Sequence, residues 1–348
     1  MELIDILQMA NDANASDVLL VAGMPPVIRT EGAIKKTELS SLSPTDVEKL
    51  LFSILNERQI DAYRKNNEVD ITYNVSGVAR FRVNVHKQRG SVAAALRRIP
   101  LNIPNLDDLG VPKTIIKDLC RLKSGLVLVT GQTGSGKTTT LAAMLDFINS
   151  DRACHIITIE DPIEFLHPHK KSVVEQREVY NDIDSFSLGL RNLLRQDPDV
   201  VLVGEMRDLE TISASLSAAE AGQLVLATLH TSDASESMNR IIDVFPTHQQ
   251  QQIRTQLATT IKGVLSQILV PKTTGKGRAL ACEMMVATPA IRNLIRDGHT
   301  HQIPNVIETG AKFGMRSMDK SLLTLYDKKI IDRGELLFHL KDKQRLEV

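Results

Sequence analysis

Gly131-Gln132-Thr133-Gly134-Ser135-Gly136-Lys137-Thr138 follows an apolar run at 126–129 and opens a helix-forming segment at 139–149. The pattern G-x-x-x-x-G-K-[ST] in a strand, loop and helix setting is that of a phosphate-binding loop. Gly131, Gly134 and Gly136 let the backbone turn through conformations closed to other residues, so that successive N–H groups point into one concavity. The helix that follows adds its dipole and its unpaired N–H groups to the same spot. Lys137 has the reach for the β- and γ-phosphates, and Thr138 offers a hydroxyl to Mg²⁺. Chance produces the bare pattern in about one chain in a hundred of this length, and the flanking strand and helix make chance a poorer account still. The stretch predicts a nucleoside triphosphate site built on Gly131, Gln132, Thr133, Gly134, Ser135, Gly136, Lys137, Thr138 and Thr139.

Outward from the loop, apolar runs at 126–129, 155–159, 200–203 and 224–229 alternate with helical segments. Runs that are apolar throughout are buried on both faces, which marks a parallel sheet covered by helices. From about Pro246 onward the pattern is mostly helical. On the other side, Pro100-Leu101-Asn102-Ile103-Pro104-Asn105 carries two prolines that interrupt any regular element. It reads as a linker, placing an N-terminal domain at 1–99, the linker at 100–112 and a nucleotide-binding domain at 113–348.

The N-terminal domain reads as α+β. Leu3, Ile6, Leu7 and Ala10 have helical spacing. A strand at 17–21 and a hairpin around Glu31-Gly32 follow. Ser43-Pro44 starts a second helix, with Asp46 favouring its N-terminus and Val47, Leu50, Leu51, Ile54 and Leu55 as its core stripe. Residues 69–75 and 78–86 alternate with period two around a Ser76-Gly77 turn, and 91–96 forms a third strand ending in Arg97-Arg98. In the second of these strands Ala79, Phe81, Val83 and Val85 share one face, and Arg80, Arg82, Asn84 and His86 the other. The sheet is antiparallel.

Composition narrows the function. The 348 residues carry 42 basic and 42 acidic side chains, so no global field recruits a polyanion. There is no Trp and aromatics make up 3%, so platforms for stacking bases are scarce and nucleic acid is not an expected partner. Cys120, Cys154 and Cys282 are scattered, without disulfide or metal-ligand spacing, and read as small buried hydrophobes in a reducing compartment. Glu2 and Asp5 replace the basic start of a signal peptide, and no apolar run has the length to span a bilayer, so a cytoplasmic protein is expected.

A phosphate-binding loop needs a carboxylate near the metal and one that orients or deprotonates the attacking water. Glu205 ends the apolar run at 200–203, where α/β sheets place ligands. Glu160, Asp161 and Glu164 cluster at the end of the run at 155–159, where their mutual repulsion calls for cations or for solvent. His230 ends the run at 224–229. Arg80, Arg82, Arg97 and Arg98 are either a solvated sheet face or cations that reach a γ-phosphate across a subunit boundary. His167 and His169 beside Lys170 and Lys171 read as a surface turn.

Taken together and in order, the loop, the acidic box at 159–164, the stretch from Leu194 through Asp197-Pro198-Asp199 and Gly204-Glu205-Met206-Arg207 to Asp208, and the segment 227–232 resemble the secretion and type IV pilus ATPase superfamily. They correspond to its Walker A, Asp box, Walker B and His box. The resemblance implies a PAS-like α+β N-terminal domain and a RecA-like P-loop ATPase domain with a helical C-terminal part. Asp17-Val18-Leu19-Leu20 departs from the usual Asp-Leu-His-Leu of the first domain, and Gln223 stands where a His is frequent. Within the superfamily, Ala290-Ile291-Arg292-Asn293-Leu294-Ile295-Arg296 is similar to the motif of the pilus retraction motors. The likeness implies ATP and Mg²⁺, with Lys137 and Thr138 on phosphate and metal and Glu205 organising the metal and its waters. It implies Glu164, or as the second choice Glu160, as the activator of water, His230 as sensor of the γ-phosphate, and Arg82 and Arg97 completing the site from the N-terminal domain. It also implies a homohexamer at the inner face of the cytoplasmic membrane, acting on an inner-membrane pilus platform protein, with an accessory retraction ATPase as a further partner or as the alternative identity. A RecA-like DNA translocase is the alternative of another class.

Overall fold

The computed structural model describes residues 2–341 apart from Glu31, Ser76, Pro100, Leu101 and Leu194. The chain forms two compact units, one of Met1–Asn102 with Pro162–Leu166, the other of Ile103–Asp161 with His167–Val348.

In the first unit α1 (Leu3–Asp12), β1 (Asp17–Leu20), β2 (Val27–Thr30), β3 (Ala33–Lys36), α2 (Pro44–Phe52), α3 (Glu57–Asn66), β4 (Glu68–Val75), β5 (Ala79–Gln88) and β6 (Ser91–Ile99) follow in order. The strands form one antiparallel sheet, β3-β2-β1-β6-β5-β4. Its apolar face, Phe81, Val83 and Val85 among it, packs with Leu3, Ile6 and Leu7 of α1 and Val47, Leu50 and Leu51 of α2. Alternation in β5 is what makes this possible: every second residue is buried, while Arg82 is exposed. Ser43 caps α2, its hydroxyl accepting from Asp46 N while the Asp46 carboxylate accepts from Ser43 N. Ile54 and Leu55, expected in the stripe of α2, lie beyond its end. β6 continues past 96, so that Arg97 and Arg98 are part of the strand. The hairpin expected at Glu31-Gly32 has Thr30 opposite Ala33, with Glu31 outside the described residues; Ser76 of the second turn lies outside them also, as do Pro100 and Leu101 of the expected linker. α3, not among the expected elements, starts at a capping box of Asn56 and Gln59 and buries Tyr63.

The second unit contains α4 (Lys113–Cys120), β7 (Gly125–Thr130), α5 (Lys137–Asp151), β8 (His155–Glu160), β9 (Val173–Glu178), α6 (Phe186–Leu193), β10 (Val200–Val203), α7 (Leu209–Glu220), β11 (Leu224–Leu229), α8 (Ala234–Asp243), α9 (Thr247–Thr260), β12 (Ile261–Pro271), β13 (Arg278–Val286), α10 (Pro289–Arg296), α11 (Ile303–Thr309), α12 (Met318–Asp327) and α13 (Arg333–His339). The sheet runs β13-β12-β7-β11-β10-β8-β9 and is parallel except for the β12–β13 pair. Leu126 and Leu128 of β7 enter one apolar cluster and Val127 and Val129 the other, so both faces are covered.

The C-terminal part is mostly helical as expected, except for the hairpin of β12 and β13: α9 precedes it and helices resume at Pro289. Lys262, Ser266 and Gln267 break the apolar run of β12, and the Ala, Leu and Met of β13 have helix-forming composition. Pairing of β12 with β7 overrides that propensity. Gly263 in this strand lies close to α4: a Cβ there would stand 2.8 Å from the Leu119 Cδ1 methyl. Cys120 and Cys282 are buried as expected, but Cys154 is half-buried, its sulfur 3.2 Å from Ser172 Oγ.

Candidate active site

The phosphate loop joins the end of β7 to the start of α5, with Gly136 in the N-cap position at φ 89°. Gly131 and Gly134 also adopt left-handed backbone, at φ 140° and 80°. At Gly131 the requirement is absolute, because a Cβ would stand 2.4 Å from the Gln267 carbonyl oxygen. Gln132, Thr133 and Gly134 are exposed, while Ser135 and Lys137 are buried. Lys137 Nζ donates to the carbonyls of Gly131 (2.7 Å) and Gln132 (3.1 Å), which arches it over the loop it starts from. Ser135 Oγ is buried and has no hydrogen-bond partner among the described residues. Such an orphan at the floor of an amide-lined turn suits an acceptor-rich ligand such as a phosphate.

Parallel pairing brings the two other strand ends together. β10 and β11 lie side by side with Val203 opposite Ala227, so the residues that follow them, Glu205 and His230, emerge at one edge. His230 Nε2 is 3.2 Å from one Glu205 oxygen, and Arg207 Nε is 2.7 Å from the other. The Glu205 side chain is 19% exposed and those of His230 and Arg207 43% and 64%, so these contacts orient the carboxylate more than they stabilise the fold. Met206 N donates to Thr228 O and the Thr228 hydroxyl to Gly204 O, which fixes the turn carrying Glu205. Gly204 is needed there: its N–H bonds to Ile159 O, and a Cβ would lie 3.2 Å from that same oxygen.

Glu160 ends β8 beside them but is buried, its Oε1 accepting from Thr158 Oγ1 (2.7 Å) and Gln176 Nε2 (3.2 Å). Asp199 is turned the other way, accepting from His155 N at the start of β8. Asp161 is exposed. Glu164 is half-buried and falls in the first unit.

The four candidate arginines, Arg80, Arg82, Arg97 and Arg98, separate. Arg82 and Arg97 are directly opposed across β5 and β6 and both exposed. Arg97 Nε donates to Asp17 at 3.0 Å; among the described residues Arg82 has no carboxylate partner. Two like charges face to face cost stability unless an anion relieves them. Arg80 is tied to Thr72 on the same face. Arg98, which pairs with Phe81 and so points to the other face, is held by Asn11 and Asn14. Burial raises the Asp17 carboxyl, but bonds from Ser16 and Arg97 and the charges of Arg97 and Arg29 outweigh it and keep it below the usual range. His167 corrects the reading of a surface turn: it is half-buried, and desolvation pushes its pKa down to about 4, whereas His169 is exposed and accepts from Val174 N.

Residues 6–322 match the family described as Type II/IV secretion system protein. The chain belongs to that family. The type IV pilus retractation ATPase PilT of Pseudomonas aeruginosa is 45% identical over 333 residues, 96% of each chain, and the type IV pilus ATPase PilU of the same organism is 38% identical over 97% of this chain and 88% of its own. Among solved structures, that of the pilus retraction motor PilT with bound ADP superposes with a TM-score of 0.93 at 45% identity, covering all of this chain and 99% of the other. As a member of the family the chain is an ATPase. Three contacts escaped the sequence reading: Arg207 on Glu205, Gln176 on Glu160, and Arg278, whose Nη1 donates to Gly134 O at 3.3 Å. Arg207 lies inside the Walker B stretch, but no spacing rule marks it. Gln176 and Arg278 come from strands whose pairing is set only by the fold.

Proposed function

We propose that this protein is a homohexameric motor that hydrolyses ATP to withdraw type IV pilus subunits, acting on a platform protein from the inner face of the cytoplasmic membrane. The observation that carries the reading is full-length likeness to PilT, 45% identity over 96% of both chains, with the phosphate loop and the Glu205–His230 pair intact. The accessory PilU reading is not favoured, its namesake being 38% identical.

Backbone amides of the loop and the Lys137 ammonium bind the β- and γ-phosphates. A Mg²⁺ ion held by Thr138 and, through water, by Glu205 would draw charge from the phosphate oxygens; a hydroxyl and a carboxylate are the hard oxygen donors it takes. Glu205, oriented by Arg207 and His230, holds water at the strand ends. His230 then meets the γ-phosphate when it is present and turns to Glu205 alone when it is gone. Glu164 takes the proton of the attacking water. Glu160, whose carboxylate already accepts from Thr158 and Gln176, fills the second place in that role less well. Arg82 and Arg97 meet the charge that develops on the γ-phosphate. Hydrolysis and product release then change the disposition of the subunits, and the ring passes the movement to the pilus base.

The test is genetic and enzymatic together. Lys137→Ala should abolish nucleotide binding, and Glu205→Ala should leave binding but lower kcat by about 10²–10³-fold. Cells lacking the gene should be hyperpiliated and unable to retract. Undiminished phosphate release in both variants would defeat the site, and normal retraction in the deletion strain would defeat the motor.

A further inference from the structure

β12 meets the phosphate loop in the interior of the second unit. There, four polar side chains are buried: Thr130, Thr140, Ser266 and Gln267, none more than 2% exposed. Thr130 precedes Gly131, and its hydroxyl donates to Ser266 Oγ at 2.8 Å. Thr140 lies in the first turn of α5, and Gln267 Nε2 donates to its hydroxyl at 3.0 Å. Ser266 and Gln267 are consecutive in a strand and point to opposite faces, so one holds the strand that enters the loop and the other the helix that leaves it. Between them the Gln267 carbonyl backs Gly131, Leu269 touches the place of a Cβ on Gly136, and Arg278 donates to Gly134 O. The hairpin thus grips the loop at its entry, middle and exit.

Stability does not account for this arrangement. Apolar residues at 266 and 267 would avoid the cost of burying polar groups, and Gln267 Oε1 is buried with no partner among the described residues. Placement does account for it, because a turn that binds phosphate through backbone N–H groups works only if those groups are held to within about half an ångström.

We infer that the β12–β13 hairpin positions the phosphate loop for nucleotide, with Gln267 as the positioning residue that acts through Thr140. The inference rests on the loop being the nucleotide site. The experiment titrates the full-length protein with a fluorescent ADP analogue, alongside thermal melts, for Gln267→Leu, Thr140→Val, their double variant, Thr140→Ser and Lys137→Ala. Each apolar variant should weaken binding by roughly tenfold, the size expected when one hydrogen bond is lost. The double variant should be no weaker than either single, because the two residues act through one contact. Thr140→Ser, which keeps the hydroxyl, should bind within about threefold of the parent, with its melting midpoint unmoved. Parent-like affinity in Gln267→Leu and Thr140→Val while Lys137→Ala no longer binds would overturn the inference alone. So would additive losses in the double variant, or losses that track a fall in melting midpoint and are shared by Thr140→Ser. Binding that survives Lys137→Ala would overturn the site, and the inference with it.

Discussion

The two sheets of this molecule treat charge in opposite ways. In the first unit an antiparallel sheet buries one face, and Arg80, Arg82 and Arg97 stand along the other. In the second, helices cover both faces of a largely parallel sheet, and the charged groups of its central strands, Glu160 and Glu205, are confined to the C-terminal ends or the turns just past them. The β12–β13 hairpin also buries polar side chains in that interior: Ser266, Gln267 and Glu283. A one-sided sheet can carry cations anywhere along its open face. A sheet closed on both sides has only its ends to offer, and so gathers chemistry at a single edge.

This contrast can be broken first at the centre of the parallel sheet. Leu226 is fully buried, and Leu226→Ala should cost about 2–5 kcal/mol in urea unfolding. A loss under about 1 kcal/mol would mean that the sheet is not closed on both faces.

Next in size is Glu283, 7% exposed, which accepts from Ala234 N at the start of α8. Burial pushes its pKa from 4.5 up to about 7; the bond from Ala234 opposes the shift and the nearby Asp233 charge adds to it. A carboxyl with a raised folded-state pKa holds its proton longer when folded. The folded state therefore gains as pH falls from about 7 towards 4.5 and loses that gain as pH rises again. Glu283→Gln keeps an acceptor for Ala234 and removes the charge. It should be more stable than the parent by a few kcal/mol at about pH 8 and by little at about pH 5. A difference independent of pH would show that the Glu283 charge is not buried.

The first unit should respond more mildly. Ser43→Ala removes the cap of α2 and should cost about 1 kcal/mol. Ile34 is 57% exposed on β3, and Ile34→Ala should change stability by no more than about 0.5 kcal/mol. A loss at Ile34 as large as that at Leu226 would mean that β3 is covered in solution.

Some of this was open to reading from residues alone. Period-two alternation in β5 and unbroken apolar runs in β7, β8, β10 and β11 each report the surroundings of a single strand, and those surroundings are repeated along it. α3 buries little and so lacks an apolar stripe, leaving only its Asn56–Gln59 capping box to mark it, and β13 was not legible because its Ala, Leu and Met suit a helix as well as a strand. Of the candidate site, Lys137, Thr138, Glu205 and His230 could be named in advance, since each lies in or directly after a recognisable element. Gln176, Arg207, Gln267 and Arg278 could not, since their partners are many residues away or unmarked by any spacing.

The sequence by itself determined that a strand, a glycine turn and a helix would follow one another in the pattern of a phosphate-binding loop, because backbone freedom, dipole and lysine are local properties of eight consecutive residues. Only the tertiary structure decided that β10 lies beside β11, which sets Glu205 against His230, and that β12 lies beside β7, which sets Gln267 against the loop. Strand order depends on which apolar faces can be covered together, a balance struck over the whole sheet that no single stretch of residues contains.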